Sequence, residues 1–141
     1  MRVTSMICTI EDYLSLANSD STEDNKRTIH EELSPTVISS IINKYPKRKS
    51  WLVHNKHVPI DVLRSLSNDS DEDVRFTIAM KKKCDREIFK ILMRDRCPSV
   101  RMAVVRNNKL PLDLLEEMRS DGDPEISSKA ARILEERMKK K

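Results

Sequence analysis

Glycine and aromatic residues are scarce in this chain of 141 residues, which contains one glycine and only 4% aromatic residues. Sandwich and barrel folds need many glycine-bearing turns, so these folds are disfavoured. Phosphate-binding and dinucleotide-binding loops need close backbone approaches that only glycine permits, so the same scarcity argues against both. Long runs rich in Leu, Ile, Met, Lys, Arg and Glu favour helices instead.

Cysteines are few, and Cys8, Cys84 and Cys97 share no close spacing. Three dispersed thiols indicate neither a disulfide framework nor a zinc site. His54 and His57 could chelate a metal, but no carboxylate or cysteine lies within three residues of either, so an ordinary polar link is favoured. No stretch approaches the ~18 uninterrupted apolar residues of a membrane span. We therefore expect a reduced cytoplasmic protein with no membrane association, no cofactor and no metal.

Charge is plentiful and unevenly distributed. Residues 1–34 hold three basic and seven acidic residues, whereas residues 35–141 hold 24 basic and 16 acidic ones. An acidic start followed by a basic body predicts an anionic partner for the body, or contact between the two regions.

A 26-residue repeat organises the sequence. Asp69, Asp95 and Asp121 recur at this interval, and a valine or isoleucine follows each of them five residues later. An arginine comes next in the first two copies, and a serine takes its place in the third. Residues 34–58 fit as an earlier unit after losing two residues at the turn, and residues 10–33 fit as a weaker copy.

Each unit predicts two short antiparallel helices. Ile60, Leu63 and Leu66 have the helical spacing of a buried face, and the repeated aspartate then ends the first helix. An acidic or proline-bearing turn opens the second helix, which buries residues such as Val100 and Val104. The repeated methionines are expected to fill the core: Met80, Met93, Met102 and Met118.

One helix pair of this size cannot bury its apolar face alone, so the units must stack. We expect an all-α fold, a short right-handed solenoid of about four to five antiparallel helix pairs. It would form a single domain over residues 1–141. Its parts would be a weak N-terminal repeat or cap, the central repeats and a C-terminal capping helix: 10–33, 34–123 and 124–141.

The sequence resembles HEAT-like α-solenoids, and most closely the leucine-rich repeat variant family. The likeness rests on the repeated Asp-x4-Val-Arg, on Pro59 and Pro111, and on the links "VHNKHVP" and "VRNNKLP", over about residues 34–141. The unit is shorter than the roughly 40–47 residues of a HEAT repeat. Some members of the variant family resemble nucleic-acid binders or carry an iron–sulfur cluster near the N-terminus. Only Cys8 lies there, so no cluster is expected.

The repeated aspartates and arginines are expected to form a structural ladder between adjacent units. Its predicted pairs are Asp69 with Arg101, and Asp95 with Arg75 or Arg101, and Asp121 occupies the same column in the last copy. The alternative is that Arg75 and Arg101 bind phosphate groups.

The links between units carry basic residues that a solenoid would bring to one edge. These residues are candidates for partner binding, with Trp51 as a possible stacking platform or, alternatively, a core residue. The alternative for the lysines is a role in solubility alone. The candidates are Lys47, Arg48, Lys49, Lys56, Lys81, Lys82, Lys83, Arg86, Arg106 and Lys109.

No catalytic constellation is apparent, and we expect a binding module rather than an enzyme. The favoured function is a bacterial adaptor, inhibitor or immunity-type protein whose partner is a protein, and an acidic one because the body is basic. The alternative is nucleic-acid binding through the basic links. A DNA glycosylase of HEAT-like type is disfavoured, since the chain has few aromatic residues to surround a flipped base.

Overall fold

The computed structural model describes residues 6–140, and most of them are helical, which confirms the predicted all-α character. The ten α-helices in this range are α1 Ile10–Ala17, α2 Thr22–His30, α3 Pro35–Lys44, α4 Lys49–Leu52, α5 Ile60–Leu66, α6 Glu72–Ala79, α7 Arg86–Leu92, α8 Pro98–Arg106, α9 Leu112–Glu117 and α10 Pro124–Lys139. Turns of 3-10 helix follow α3 and α9, at Pro46–Arg48 and Met118–Ser120.

The sequence did not predict the short parallel pair of β1 (Met6–Ile7) and β2 (Glu32–Leu33). Two residues per strand are too few for an alternating pattern to be recognised.

The chain divides into two compact units, the first ending at Val62 and the second beginning at Leu63. The predicted single domain over residues 1–141 stays a prediction. Its residues 1–5 and 141 lie outside the described part of the chain.

In the first unit, α1 packs against α2 and α3, and α3 packs against α4. A hydroxyl side chain opens each of α1, α2 and α3 by accepting a backbone N–H of the first turn. Tyr13, Val37, Ile41 and Leu52 are fully buried. Residues 10–33, predicted to be a weak repeat or a cap, therefore contain a packed helix pair followed by β2.

In the second unit, the second helices of three hairpins contact each other in order, α6 against α8 and α8 against α10. Val74, Val100 and Ile126 are each the third residue of these helices, and all three are at most 1% exposed. Residues 26 positions apart thus occupy equivalent buried places in neighbouring hairpins. This is the packing that the repeat requires, since no single hairpin covers its own apolar face.

The repeated aspartate shapes the turn into each second helix. Asp69, Asp95 and Asp121 each accept a hydrogen bond from the backbone N–H two residues later, at 3.0, 2.9 and 2.9 Å. This hydrogen bond gives an acceptor to the backbone N–H just before the helix, which has no partner within the helix. It also holds the turn in one geometry.

A buried asparagine fastens neighbouring links to each other. Asn107 Nδ2 donates to the carbonyl oxygens of Ala79 and Lys81 at 2.8 and 3.0 Å, and its Oδ1 accepts from the Lys109 N–H at 2.9 Å. Asn55 does the same in the first unit, where its Nδ2 donates to the carbonyl oxygens of Thr28, in the last turn of α2, and of Glu31, just after it. The link asparagines are therefore structural.

Replacing Val100 with aspartate should destabilise the protein by more than about 3 kcal/mol, because a charge would be buried without a partner. Urea unfolding followed by circular dichroism measures the change. Asn108→Asp, which places the same carboxylate on an exposed link position, is the control and should melt like the parent. A Val100→Asp protein that unfolds at the parental urea concentration would show that the repeat is misassigned.

Asn107→Ala should lower the free energy of unfolding by about 1–3 kcal/mol, since the buried carbonyl oxygen of Ala79 and the partly buried one of Lys81 lose their donor. Asn108→Ala changes the adjacent, exposed asparagine and should stay within about 0.5 kcal/mol of the parent. Equal effects of the two substitutions in urea melts would contradict the structural role of Asn107.

Candidate functional site

The arginine that follows each buried valine is directed into the structure rather than into solvent. Arg75 is 2% exposed, and its Nε and Nη2 donate to the two carboxylate oxygens of Asp95 at 2.7 and 3.2 Å. Its Nη1 donates to the carbonyl oxygen of Asp69 at 2.8 Å. The guanidinium thus joins the turn of its own hairpin to the turn of the next one through a planar two-point contact.

Arg101 repeats this arrangement one hairpin later. Its Nε and Nη2 donate to Asp121 at 3.0 and 3.3 Å, and its Nη1 donates to the carbonyl oxygen of Asp95 at 2.7 Å. The structure therefore contains the predicted Asp95–Arg75 pair and pairs Arg101 with Asp121 rather than with Asp69. Each arginine reaches forward to the following hairpin. We refer to Arg75, Asp95, Arg101 and Asp121 as the ladder.

The ladder sets the charge state of its members. Burial acts to raise the pKa of Asp95, but hydrogen bonds from Arg75 and the Cys97 N–H outweigh it, so this pKa lies below its ordinary value. The hydrogen bond to Asp95 likewise raises the pKa of Arg75. Both groups are charged at neutral pH, and Arg75 has no free donor edge for a phosphate.

The cysteines of the second unit are not activated. Burial raises the pKa of Cys84 to about 12, and its Sγ contacts the carbonyl oxygen of Ile78 at 2.9 Å. A hydrogen bond with Glu72 raises the pKa of Cys97. Both thiols are therefore protonated at neutral pH, which is the opposite of what a nucleophilic cysteine needs.

The basic links are brought together only in part. Asn107 holds the link with Lys109 against the link with Lys81, Lys82 and Lys83. Arg86 lies on α7 and forms a two-point ion pair with Asp113, at 3.0 and 2.5 Å. Lys47, Arg48, Lys49 and Lys56 belong to the first unit, where Arg48 donates to the Asn18 side chain and the backbone N–H of Lys56 donates to Ile29.

Two candidate residues of the first unit also have internal roles. The half-buried Trp51 donates its indole N–H to the Thr28 hydroxyl at 2.8 Å. The Nε2 atom of His57 lies 2.8 Å from the carbonyl oxygen of His30. These contacts agree with a packing role for Trp51 and with an ordinary polar link at His57.

The surface of α6 and α8 carries an apolar pocket of about 450 Å³. Phe76 of α6 and Met80, which caps the C-terminus of α6, line it together with Met102 and Arg106 of α8. A neighbouring pocket of about 460 Å³ shares Met102 and Arg106, and α10 supplies its other wall. Together they form one groove across the three second helices, which we call the repeat groove.

Met80 was expected in the core, and this expectation was wrong, since Met80 is 53% exposed. Met93 and Met118 are buried, and Met102 is half-buried in the repeat groove. The reason is helical register. Around the helix axis, residue 76 lies about 160° from Val74 and from Ile78. Residue 80 lies about 120° from Val74 and about 160° from Ile78, so both residues are turned away from the core. The spacing of Met80 from Val74 and Ile78 is visible in the sequence, but the expectation for Met80 rested on residue type.

Three cations line the α10 side of the repeat groove: Arg106, Lys129 and Arg132. Among residues 6–140 none of them has an ion-pair partner, and one carboxylate, that of Glu125, shares the lining. Only Arg106 was among the predicted binding residues. Lys129 and Arg132 were missed because α10 was read as a cap.

The first unit has a groove of its own, about 610 Å³ in volume. Its lining includes Met6, Leu33, Ile38 and Ile42, with the carboxylates of Glu32 and Asp61 at the edge.

Comparisons with protein-family models, with curated proteins and with solved structures found no match. No helix among residues 6–140 is both long enough and apolar enough to cross a bilayer. Within the same range, no group of three His, Cys, Asp or Glu side chains is placed to hold a metal ion.

Asp95→Asn should lower the free energy of unfolding by about 3 kcal/mol at pH 7, because Arg75 would stay buried without a counter-ion. The pKa of Asp95 is depressed in the folded state, so its contribution is complete above the ordinary aspartate pKa of about 4. It is lost as the pH falls through the lower, folded-state pKa. Urea melts between pH 7 and pH 2 should therefore show the two proteins converging in acid.

Asp113→Asn is the matched control for this series, since Asp113 pairs with Arg86 on the surface, where both side chains are more than half exposed. Its effect at pH 7 should stay below about 1 kcal/mol. A difference between parent and Asp95→Asn that does not depend on pH would contradict the buried ion pair.

Proposed function

We propose that this chain is a non-catalytic α-solenoid binding module, HEAT-like and close in type to the leucine-rich repeat variant family, that engages an acidic protein partner. The 26-residue repeat coincides with hairpins whose second helices contact each other in order, which supports the solenoid. An adaptor, inhibitor or immunity-type role fits a small chain of this kind.

The observation that carries the proposal is the use of the repeated arginines. Arg75 and Arg101 are bound to carboxylates and carbonyl oxygens inside the ladder, so the most regular cations of the sequence are not offered to a phosphate backbone. An apolar pocket lies instead on the second helices, where the exposed Met80 and the half-buried Phe76 and Met102 line it. Methionine-rich apolar surfaces are typical of protein-binding sites.

Nucleic-acid binding is the second candidate, and the packing of neighbouring links favours it. Asn107 joins the link that contains Lys82 to the link that contains Lys109, and both lysines are exposed. Such a pair of basic links could follow a phosphate backbone, with an affinity that falls as salt rises.

Affinity capture from the native cells, with Met80→Glu compared against Met138→Glu, tests the proposal. The two methionines are 53% and 56% exposed, but Met138 lies in the last turns of α10, outside the residues that line the repeat groove. A protein retained by the parent and by Met138→Glu, and lost with Met80→Glu, is the expected result.

Binding of labelled single-stranded and duplex oligonucleotides at low salt tests the nucleic-acid alternative. Binding that disappears in the Lys82→Ala, Lys109→Ala double variant, together with no protein that depends on Met80, would replace the protein partner with a nucleic acid. Thermal melts of every variant confirm that it is folded.

A further inference from the structure

The lining of the repeat groove changes in composition from one end to the other. Two columns of the repeat face it, and each column is apolar at the α6 end and polar at the α10 end. The first column reads Phe76, Met102 and Ser128, and the second reads Met80, Arg106 and Arg132. Lys129 adds a further cation beside Arg132. The groove is therefore apolar over α6, mixed over α8 and cationic over α10.

The size of the groove follows from helix packing. Neighbouring packed helices lie about 8–10 Å apart, so the distance from α6 across α8 to α10 is roughly 16–20 Å. An extended peptide advances about 3.3 Å per residue, so about six residues reach from one end to the other. A ligand that uses both ends must then have its apolar and charged groups separated by this length.

Charge complementarity decides which group belongs at the α10 end. Arg106, Lys129 and Arg132 face one carboxylate, that of Glu125, and have no ion pairs within residues 6–140. Three cations in one place repel each other, and an acidic ligand removes that repulsion when it binds. At the other end, Phe76 and Met80 offer an apolar surface but no donor for a phosphate.

We propose that the repeat groove takes a linear acidic segment of a partner protein, with bulky apolar residues at one end and carboxylates about six residues away. The apolar residues pack on Phe76, Met80 and Met102, and the carboxylates pair with Arg106, Lys129 and Arg132. This proposal rests on the proposed function and adds the polarity and the chemistry of the bound segment. The apolar contact supplies most of the affinity, and the cations supply specificity and orientation.

A labelled peptide of about eight residues, with two leucines at one end and three glutamates at the other, is the probe. Fluorescence anisotropy should show binding to the full chain that weakens about tenfold when the glutamates become glutamines. Replacing the leucines by serines should abolish binding. A peptide of the same composition with leucines and glutamates alternating should bind less tightly than the probe.

Charge reversal on the protein gives the sharper result. The Arg106→Glu, Arg132→Glu double variant should bind the glutamate peptide with an affinity lower by about tenfold or more. It should gain affinity for a peptide with lysines in place of the glutamates. Lys90→Glu on α7 with Arg94→Glu just after that helix is the matched control, because it makes the same change in net charge outside the groove residues. The control should bind the glutamate peptide as the parent does.

The possible results separate this inference from the proposed function. Equal binding of the glutamate and glutamine peptides, or of the leucine and serine peptides, would overturn the polarity of the groove. If no peptide binds but capture of a cellular protein still depends on Met80, the bound segment is of another kind while the protein-binding function stands. An oligonucleotide that binds the parent and is lost in the double variant would overturn both proposals.

Discussion

The packing of the second unit depends on one recurring contact between the hairpins. An arginine in the first turns of α6 and of α8 binds the aspartate of the following turn, and that aspartate also holds the backbone of its own turn. Asp95 belongs to both contacts, since its carboxylate receives Arg75 and its carbonyl oxygen receives Arg101. Because a buried ion pair is costly to separate, the spacing between hairpins is fixed by the reach of the arginine side chain.

This use of the repeated residues leaves one surface of the second helices for the partner that we propose. The repeated aspartate, arginine and link asparagine side chains form hydrogen bonds inside the protein, and the repeated valine and isoleucine residues form the core. What remains on the second helices is the surface opposite the core, where the side chains differ between hairpins. The residues that line this surface differ from one hairpin to the next, which would make a binding site there specific for its ligand. The ladder, by contrast, uses the same arginine–aspartate contact in both of its steps.

The predicted residues differ in two ways from those that the structure places in the ladder and in the lining of the repeat groove. The ladder residues were expected in the right columns, but the direction of pairing was open, since spacing alone does not show whether an arginine reaches the preceding or the following turn. The basic residues of the links were selected because a solenoid would bring the links to one edge, so Lys129 and Arg132 of the predicted capping helix were not considered. Met80 was assigned to the core by residue type, although it lies about 160° around the helix axis from the buried Ile78 and is 53% exposed.

The sequence by itself determined the helical character, the unit of about 26 residues and the buried columns at Val74, Val100 and Ile126, because periodicity and burial are local consequences of which residues are apolar. It could not determine which arginine meets which aspartate, which asparagine is buried, or which exposed side chains share a groove. Those properties arise between residues about 20–28 positions apart, and only the packing of one hairpin against the next brings such residues within bonding distance.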